Sequence, residues 1–166
     1  MVIDFRTRPP YKSFVSQGNF FPRPMEEDFK GPEEISGIYW NSVGIQSARE
    51  GDFSLYLEEL DASGIDLQIV QGRRVREGMA SVDNRDVCEL ERLYPGRFLA
   101  FPAVDTADVL GAVSEIEYYA RNYGIRGIAL EPGWSMPPKY VDDQSLNPIY
   151  EKCEELGLIC AFTLSI

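Results

Sequence analysis

Apolar residues along the 166-residue chain fall into two alternating kinds of segment. Short apolar runs occupy residues 2–7, 66–70, 98–101, 127–131 and 158–163, most of them with Gly, Pro or Asp at or next to an end. Runs of this length and composition are read as strands. Between them, apolar positions recur every three or four residues, the spacing of one helix face. A helix is predicted over 52–62, with Phe53, Leu57 and Leu60 in one stripe behind an Asp52 cap and a stop at Gly64. Further helices are predicted over 84–94 (Val87, Leu90, Tyr94), over 108–122 (Leu110, Val113, Ile116, Ala120) and over 145–156, which ends at Gly157.

From the second strand onward, strand starts are separated by roughly 30 residues, the length of one βαβ unit. Apolar strands separated by single amphipathic helices imply a parallel sheet, either a closed barrel or an open doubly wound sheet. An open nucleotide-binding sheet calls for a glycine-rich turn after its first strand, whereas here the turn reads Arg6-Thr7-Arg8-Pro9-Pro10. The expected fold is therefore α/β, a parallel (β/α) barrel of TIM type. About five β/α units are visible, against the eight strands and about 250 residues of a whole barrel. Residues 1–166 are read as a single domain forming the N-terminal part of such a barrel. Its inner face then needs either a continuation of the chain or an association between chains, and a homo-oligomer is expected. Residues 11–51 are read as a long loop inserted after the first strand. This insertion is rich in aromatics and proline (Tyr11, Phe14, Phe20, Phe21, Pro22, Pro24, Tyr39, Trp40), and loops of this length at a barrel mouth serve as lids or contact surfaces.

Composition narrows the partners. A hydrophobic share of 44% is enough for a core, and the net charge of -11 is spread along the chain, which repels phosphate backbones and anionic membranes. Neither nucleic acid nor membrane is an expected partner, and with no long apolar run or signal-like start a cytoplasmic location is expected. Cys88, Cys153 and Cys160 have no metal-binding spacing and read as reduced core residues.

Side chains alternate along a strand. Strict alternation puts Asp4, Arg6 and Arg8 on the inner face of the first strand, with Ile3 and Phe5 toward the helices. In the fourth strand it puts Gly127, Ala129 and Glu131 inward. Two inward guanidinium groups at the C-terminal mouth, where barrel sites lie, point to an anionic ligand. Arg73 and Arg74 follow the second strand at the same rim. The chain contains no histidine, so acid–base work falls to carboxylates: Glu131 first, then Asp4, with Asp105, Asp142 and Asp143 in loops at the same end. Trp134 is a candidate for stacking on a substrate. The expected site is Glu131 and Asp4 as catalytic groups, with Arg6, Arg8, Arg74 and Trp134 binding substrate. The alternative is purely structural, with Arg6 or Arg8 pairing Glu131 or Asp4 to close the barrel end.

The opening Val2-Ile3-Asp4-Phe5, the helix end Leu57-Glu58-Glu59-Leu60-Asp61-Ala62-Ser63-Gly64-Ile65-Asp66, and the segments Tyr94-Pro95-Gly96-Arg97-Phe98 and Tyr123-Gly124-Ile125-Arg126-Gly127-Ile128 carry a resemblance. Together they resemble the amidohydrolase-related family of metal-dependent barrels, which includes decarboxylases of small acids, lactone hydrolases and hydratases. The resemblance implies a hydrolase or decarboxylase acting on a small carboxylate-bearing compound. It also implies a His-x-His metal pair at the positions held here by Arg6 and Arg8, and a further histidine near Thr163. Arginine cannot ligate a cation, so no metal and no cofactor are expected. The competing expectation is a non-catalytic or accessory barrel that binds an acidic ligand or partners an active homologue.

Overall fold

The structure is a computed structural model, and it describes residues 1–15, 46–75 and 81–163. Five strands alternate with helices: β1 (Ile3–Thr7), α1 (Gln46–Glu50), α2 (Phe53–Ala62), β2 (Leu67–Gln71), α3 (Asn84–Leu93), β3 (Phe98–Phe101), α4 (Val109–Tyr123), β4 (Gly127–Leu130), α5 (Asn147–Leu156) and β5 (Ile159–Phe162). The caps explain the boundaries. Asp52 Oδ1 accepts from the Ser54 and Leu55 amides at 2.8 and 3.0 Å, Asp83 caps α3, and Asp108 caps α4. Gly124 and Gly157, both at φ 65°, end α4 and α5 in the left-handed conformation that glycine tolerates. Of the predicted 11–51 loop, most lies outside the described residues. Its ends are structured, with a 3₁₀ turn at Lys12–Phe14 and helix α1.

All paired strands are parallel and follow chain order. β1, β2 and β3 form one sheet and β4 and β5 another, and the Ala103–Ala129 bridge joins them. At that seam Ala129 N–H donates to Pro102 O at 2.9 Å. The buried amide of Asn84 completes it, donating to Ala103 O at 2.7 Å and accepting from Ala103 N–H at 2.8 Å. Sequential parallel strands with helical crossovers are the arrangement of the first five units of a (β/α) barrel.

One face of the sheet carries the main core. Val70, Phe98, Ala100, Ile128 and Leu130 pack there against Leu60, Leu90, Ile116 and Ile149 from the four longer helices. Cys88 and Cys153 are buried in this layer, and Cys160 packs against it. The opposite, inner face holds a smaller cluster of Ile69, Phe101 and Ala161 with Leu99 beside it. Gly127 faces that cluster, and a Cβ there would come within 2.5 Å of the Phe101 ring, so the fourth strand can pass only as glycine.

Strand β1 departs from strict alternation. Its register against β2 shifts between Phe5 and Thr7, and Arg6 is the extra residue, at φ 73°. Above the bulge Arg8 turns inward as expected, but below it the faces are exchanged. Phe5 packs edge-on against the inner Phe101, with ring centroids 6.0 Å apart. Asp4 lies instead on the helix side, where Gln68 Nε2 donates to it at 3.3 Å and Tyr56 of α2 donates to Gln68 at 2.7 Å. The expectation that Asp4, Arg6 and Arg8 share one face, with Ile3 and Phe5 toward the helices, is thereby corrected. A one-residue bulge inverts the parity of everything before it.

Candidate functional site

Four of the five strands end at the same mouth in residues with polar chemistry. Arg8 follows β1, Gln71 ends β2 and leads to Arg73, Glu131 follows β4, and Thr163 follows β5. The centre is Glu131, whose side chain is 3% exposed. Arg8 Nη2 donates to its Oε1 at 2.9 Å, and Arg73 Nε donates to its Oε2 at 3.2 Å. The Arg8 side chain is 7% exposed and that of Arg73 16%. Each carboxylate oxygen therefore holds a guanidinium, and the trio carries two cations against one anion. Burial draws the Arg8 guanidinium down to about 10; the pairing with Glu131 opposes this, while repulsion from Arg73 and Arg6 adds to it.

The backbone explains why Arg73 reaches this point. It follows Gly72, where a Cβ would meet both Ala103 N and Asn84 Oδ1 at 2.6 Å, so only glycine lets the chain cross the seam there. Arg74 points elsewhere, its Nη2 lying 3.4 Å from Glu115 of α4 on a partly exposed surface. Of the two arginines after β2, it is Arg73 rather than Arg74 that joins Glu131. Arg6 is exposed at the bulge, so of the expected Arg-x-Arg pair only Arg8 enters the buried network. Trp134 stands half-buried at the rim, in a 3₁₀ turn spanning Pro132–Trp134. Asp105 and Asp143 serve as local caps, accepting from the Ala107 and Ser145 amides. Asp4 is remote from the mouth for the reason given by the bulge.

Two further polar groups stand at this mouth: Gln71, which the sequence reading did not single out, and Thr163, which entered it only as the place near which the resemblance implies a histidine. Gln71 is 2% exposed and Thr163 6%, and neither Gln71 Oε1 nor Thr163 Oγ1 has a hydrogen-bond partner among the described residues. A buried, unsatisfied polar atom costs about 1–3 kcal/mol, which marks both positions as unusual. The available signal was a polar residue closing an otherwise apolar strand run.

The family model described as Amidohydrolase matches residues 34–165. An uncharacterized TIM-barrel protein from Bordetella bronchiseptica has a similar structure, with a TM-score of 0.78 and 30% identity over 97% of this chain and 54% of that one. The 5-carboxyvanillate decarboxylase of Novosphingobium aromaticivorans, solved with bound manganese, has a TM-score of 0.59 at 18% identity, over 96% of this chain and 49% of that one. The 2-amino-3-carboxymuconate-6-semialdehyde decarboxylase of Dictyostelium discoideum is 25% identical over 116 residues, which are 64% of this chain and 32% of that protein. The chain thus spans about half the length of these solved structures.

The groups gathered at the mouth do not fit a divalent cation. Glu131 is engaged by two guanidinium groups, the chain has no histidine, and no cluster of three or more His, Cys, Asp or Glu residues able to hold a metal occurs among the described residues. Two positive charges beside Glu131 oppose a cation further.

Proposed function

The chain belongs to the amidohydrolase family, and from that premise we propose that it binds a small carboxylate-bearing compound at the mouth of its parallel strands and acts on it by decarboxylation or hydrolysis. The observation that carries this reading is the buried Arg8–Glu131–Arg73 network, which gathers two guanidinium groups at the end of the barrel where sites lie. Arg8 and Arg73 hold the anion, and Glu131 fixes the two guanidinium groups in place as well as being the nearest candidate for proton transfer. Arg6 adds positive charge at the rim, and Trp134 is placed to cover the ligand. We read Arg6 and Arg8 as standing where the family carries its histidine pair.

Guanidinium groups stabilise a carboxylate in the ground state, so the group they grip is the anchor rather than the bond that breaks. Chemistry then occurs elsewhere on the compound, at a hydrolysable bond or a second carboxyl. The decarboxylases among the relatives act on carboxylate compounds, which supports this substrate class.

A second reading is a barrel that binds an acidic ligand without turning it over. It is favoured by the same engagement of both Glu131 oxygens, which commits that carboxylate to holding arginines. Calorimetric titration with benzoate at low ionic strength tests the binding shared by both readings. Saturable binding is expected, weakened about tenfold or more in Arg8→Met and in Arg73→Met, as loss of one charge-assisted hydrogen bond implies. Unchanged affinity in both variants rejects the anion site. Release of carbon dioxide or of a hydrolysis product from a panel of aromatic dicarboxylates and lactones separates enzyme from accessory barrel.

A further inference from the structure

Two of the three cysteines meet where α5 gives way to β5. Cys153 lies near the end of α5, and the turn that follows folds the chain back over it. Leu158 N–H donates to the Cys153 carbonyl at 2.8 Å and Gly157 N–H to that of Glu154 at 3.1 Å, around Gly157 at φ 65°. Alternation then decides the face of Cys160. Its neighbour Ala161 belongs to the inner cluster, and its register partner on β4 is Ile128, fully buried in the helix-side core. Cys160 therefore points into the layer where Cys153 is 2% exposed. Turn and alternation together bring the thiols into contact, and Cys153 donates a hydrogen bond to the Cys160 sulfur. That bond holds the Cys160 thiol below its ordinary range and raises Cys153, whose burial adds to the rise. Cys160 is half-buried, whereas Cys88 is buried on α3 with its thiol pushed up to about 12 by desolvation.

We propose that Cys153 and Cys160 are a reversible disulfide site, oxidised by exchange with a low-molecular-weight disulfide such as oxidised glutathione, that staples the end of α5 to β5. The pair lies on the helix side of the sheet, so this inference stands apart from the anion site. An accessible thiol with a second thiol against it is the arrangement in which exchange goes to completion. The Cys160 thiolate attacks one sulfur of the oxidised glutathione, forming a mixed disulfide and displacing one glutathione thiolate. Cys153, its proton released, then attacks the Cys160 sulfur. The bond from Cys160 to glutathione breaks, the new disulfide closes and the second glutathione leaves. Two cysteine thiols are oxidised, one disulfide is reduced to two thiols, and the departing thiolates take up the two protons.

The test exposes the folded chain to mixtures of oxidised and reduced glutathione, followed by alkylation in urea, intact mass and peptide mapping. The expected product keeps one alkylatable thiol, at Cys88, links Cys153 to Cys160 and retains no glutathione. Its equilibrium constant should exceed that of the urea-unfolded chain by about tenfold or more, because the fold holds the thiols together. Cys153→Ala should trap glutathione at Cys160, and Cys160→Ala should give neither disulfide nor adduct. Three free thiols at every mixture, a disulfide that includes Cys88, glutathione retained by the wild type, or a constant no larger than in urea overturns the inference. These readings on the wild type decide the question even where a variant fails to fold.

Discussion

On the helix-covered face of the sheet, Phe98, Ile128 and Ile116 are at most 1% exposed and belong to one cluster reaching all four longer helices. On the inner face Phe101 and Ala161 are buried, but Phe5 and Ile159, on the strands at either end, are 51% and 55% exposed. The difference teaches where each face gets its order. Outside, packing of apolar side chains dominates; inside, packing is confined to the central strands, and the polar mouth is ordered by charge and hydrogen bonding instead. Apolar packing and polar networks are thus largely assigned to opposite sides of the same strands.

The sharpest way to break that comparison is to remove one large side chain from each face. Phe98→Ala should cost about 4 kcal/mol, the usual loss for a fully buried phenylalanine, and Phe5→Ala less than about 1 kcal/mol, both measured by urea unfolding. Equal losses would mean that the inner face is as well packed as the outer. Glu131→Gln keeps the shape of the mouth and removes the carboxylate from between Arg8 and Arg73. A loss of about 3 kcal/mol is expected for a broken buried pair, read from the same unfolding curves.

Alkali should separate the faces by sign. Burial raises the Tyr56 phenol from 10.0 to about 12, so its contribution is complete below pH 10 and is lost as pH climbs through 12, because the unfolded chain gives up that proton first. Arg8, drawn down to about 10, works oppositely: between pH 10 and 12.5 the unfolded chain keeps a proton that the native protein releases, so stability from this group rises with pH. Unfolding free energies across pH 8–11.5 should show wild type losing ground to Tyr56→Phe and gaining on Arg8→Met. The smallest effect belongs to the bulge. Arg6→Gly should stabilise by about 1 kcal/mol in thermal unfolding, since an exposed arginine at φ 73° gives way to a residue without that penalty.

The succession of elements was legible because it rests on local signals. Helix α2 begins directly after its Asp52 cap, and α4 runs from Asp108 to Gly124 as its cap and stop imply. Strand β4 obeyed alternation as well, with Gly127 inward and Ile128 and Leu130 in the helix-side core. The inward placement of Arg8 and Glu131 was legible, both read from alternation close to the strand ends. Alternation failed for Asp4 and Arg6 because a bulge is a pairing event between two strands, and no spacing within β1 announces it. Arg73 and Arg74 are neighbours of identical type, and only the close passage of Gly72 past Ala103 and Asn84 decides which one turns inward. That Gln71 and Thr163 each hold an unsatisfied atom was not legible, because that is a property of surroundings rather than of sequence.

The amide of Asn84, closing both backbone groups of Ala103, gives one residue at the seam an unusual dependence. Most amides in this sheet exchange with solvent only when two strands part. That of Ala103 is shielded by a side chain borne at the start of a helix, so its deuterium uptake is a clock for the lifting of α3 from the sheet. A single backbone proton would thus report how often the start of α3 loosens from the seam.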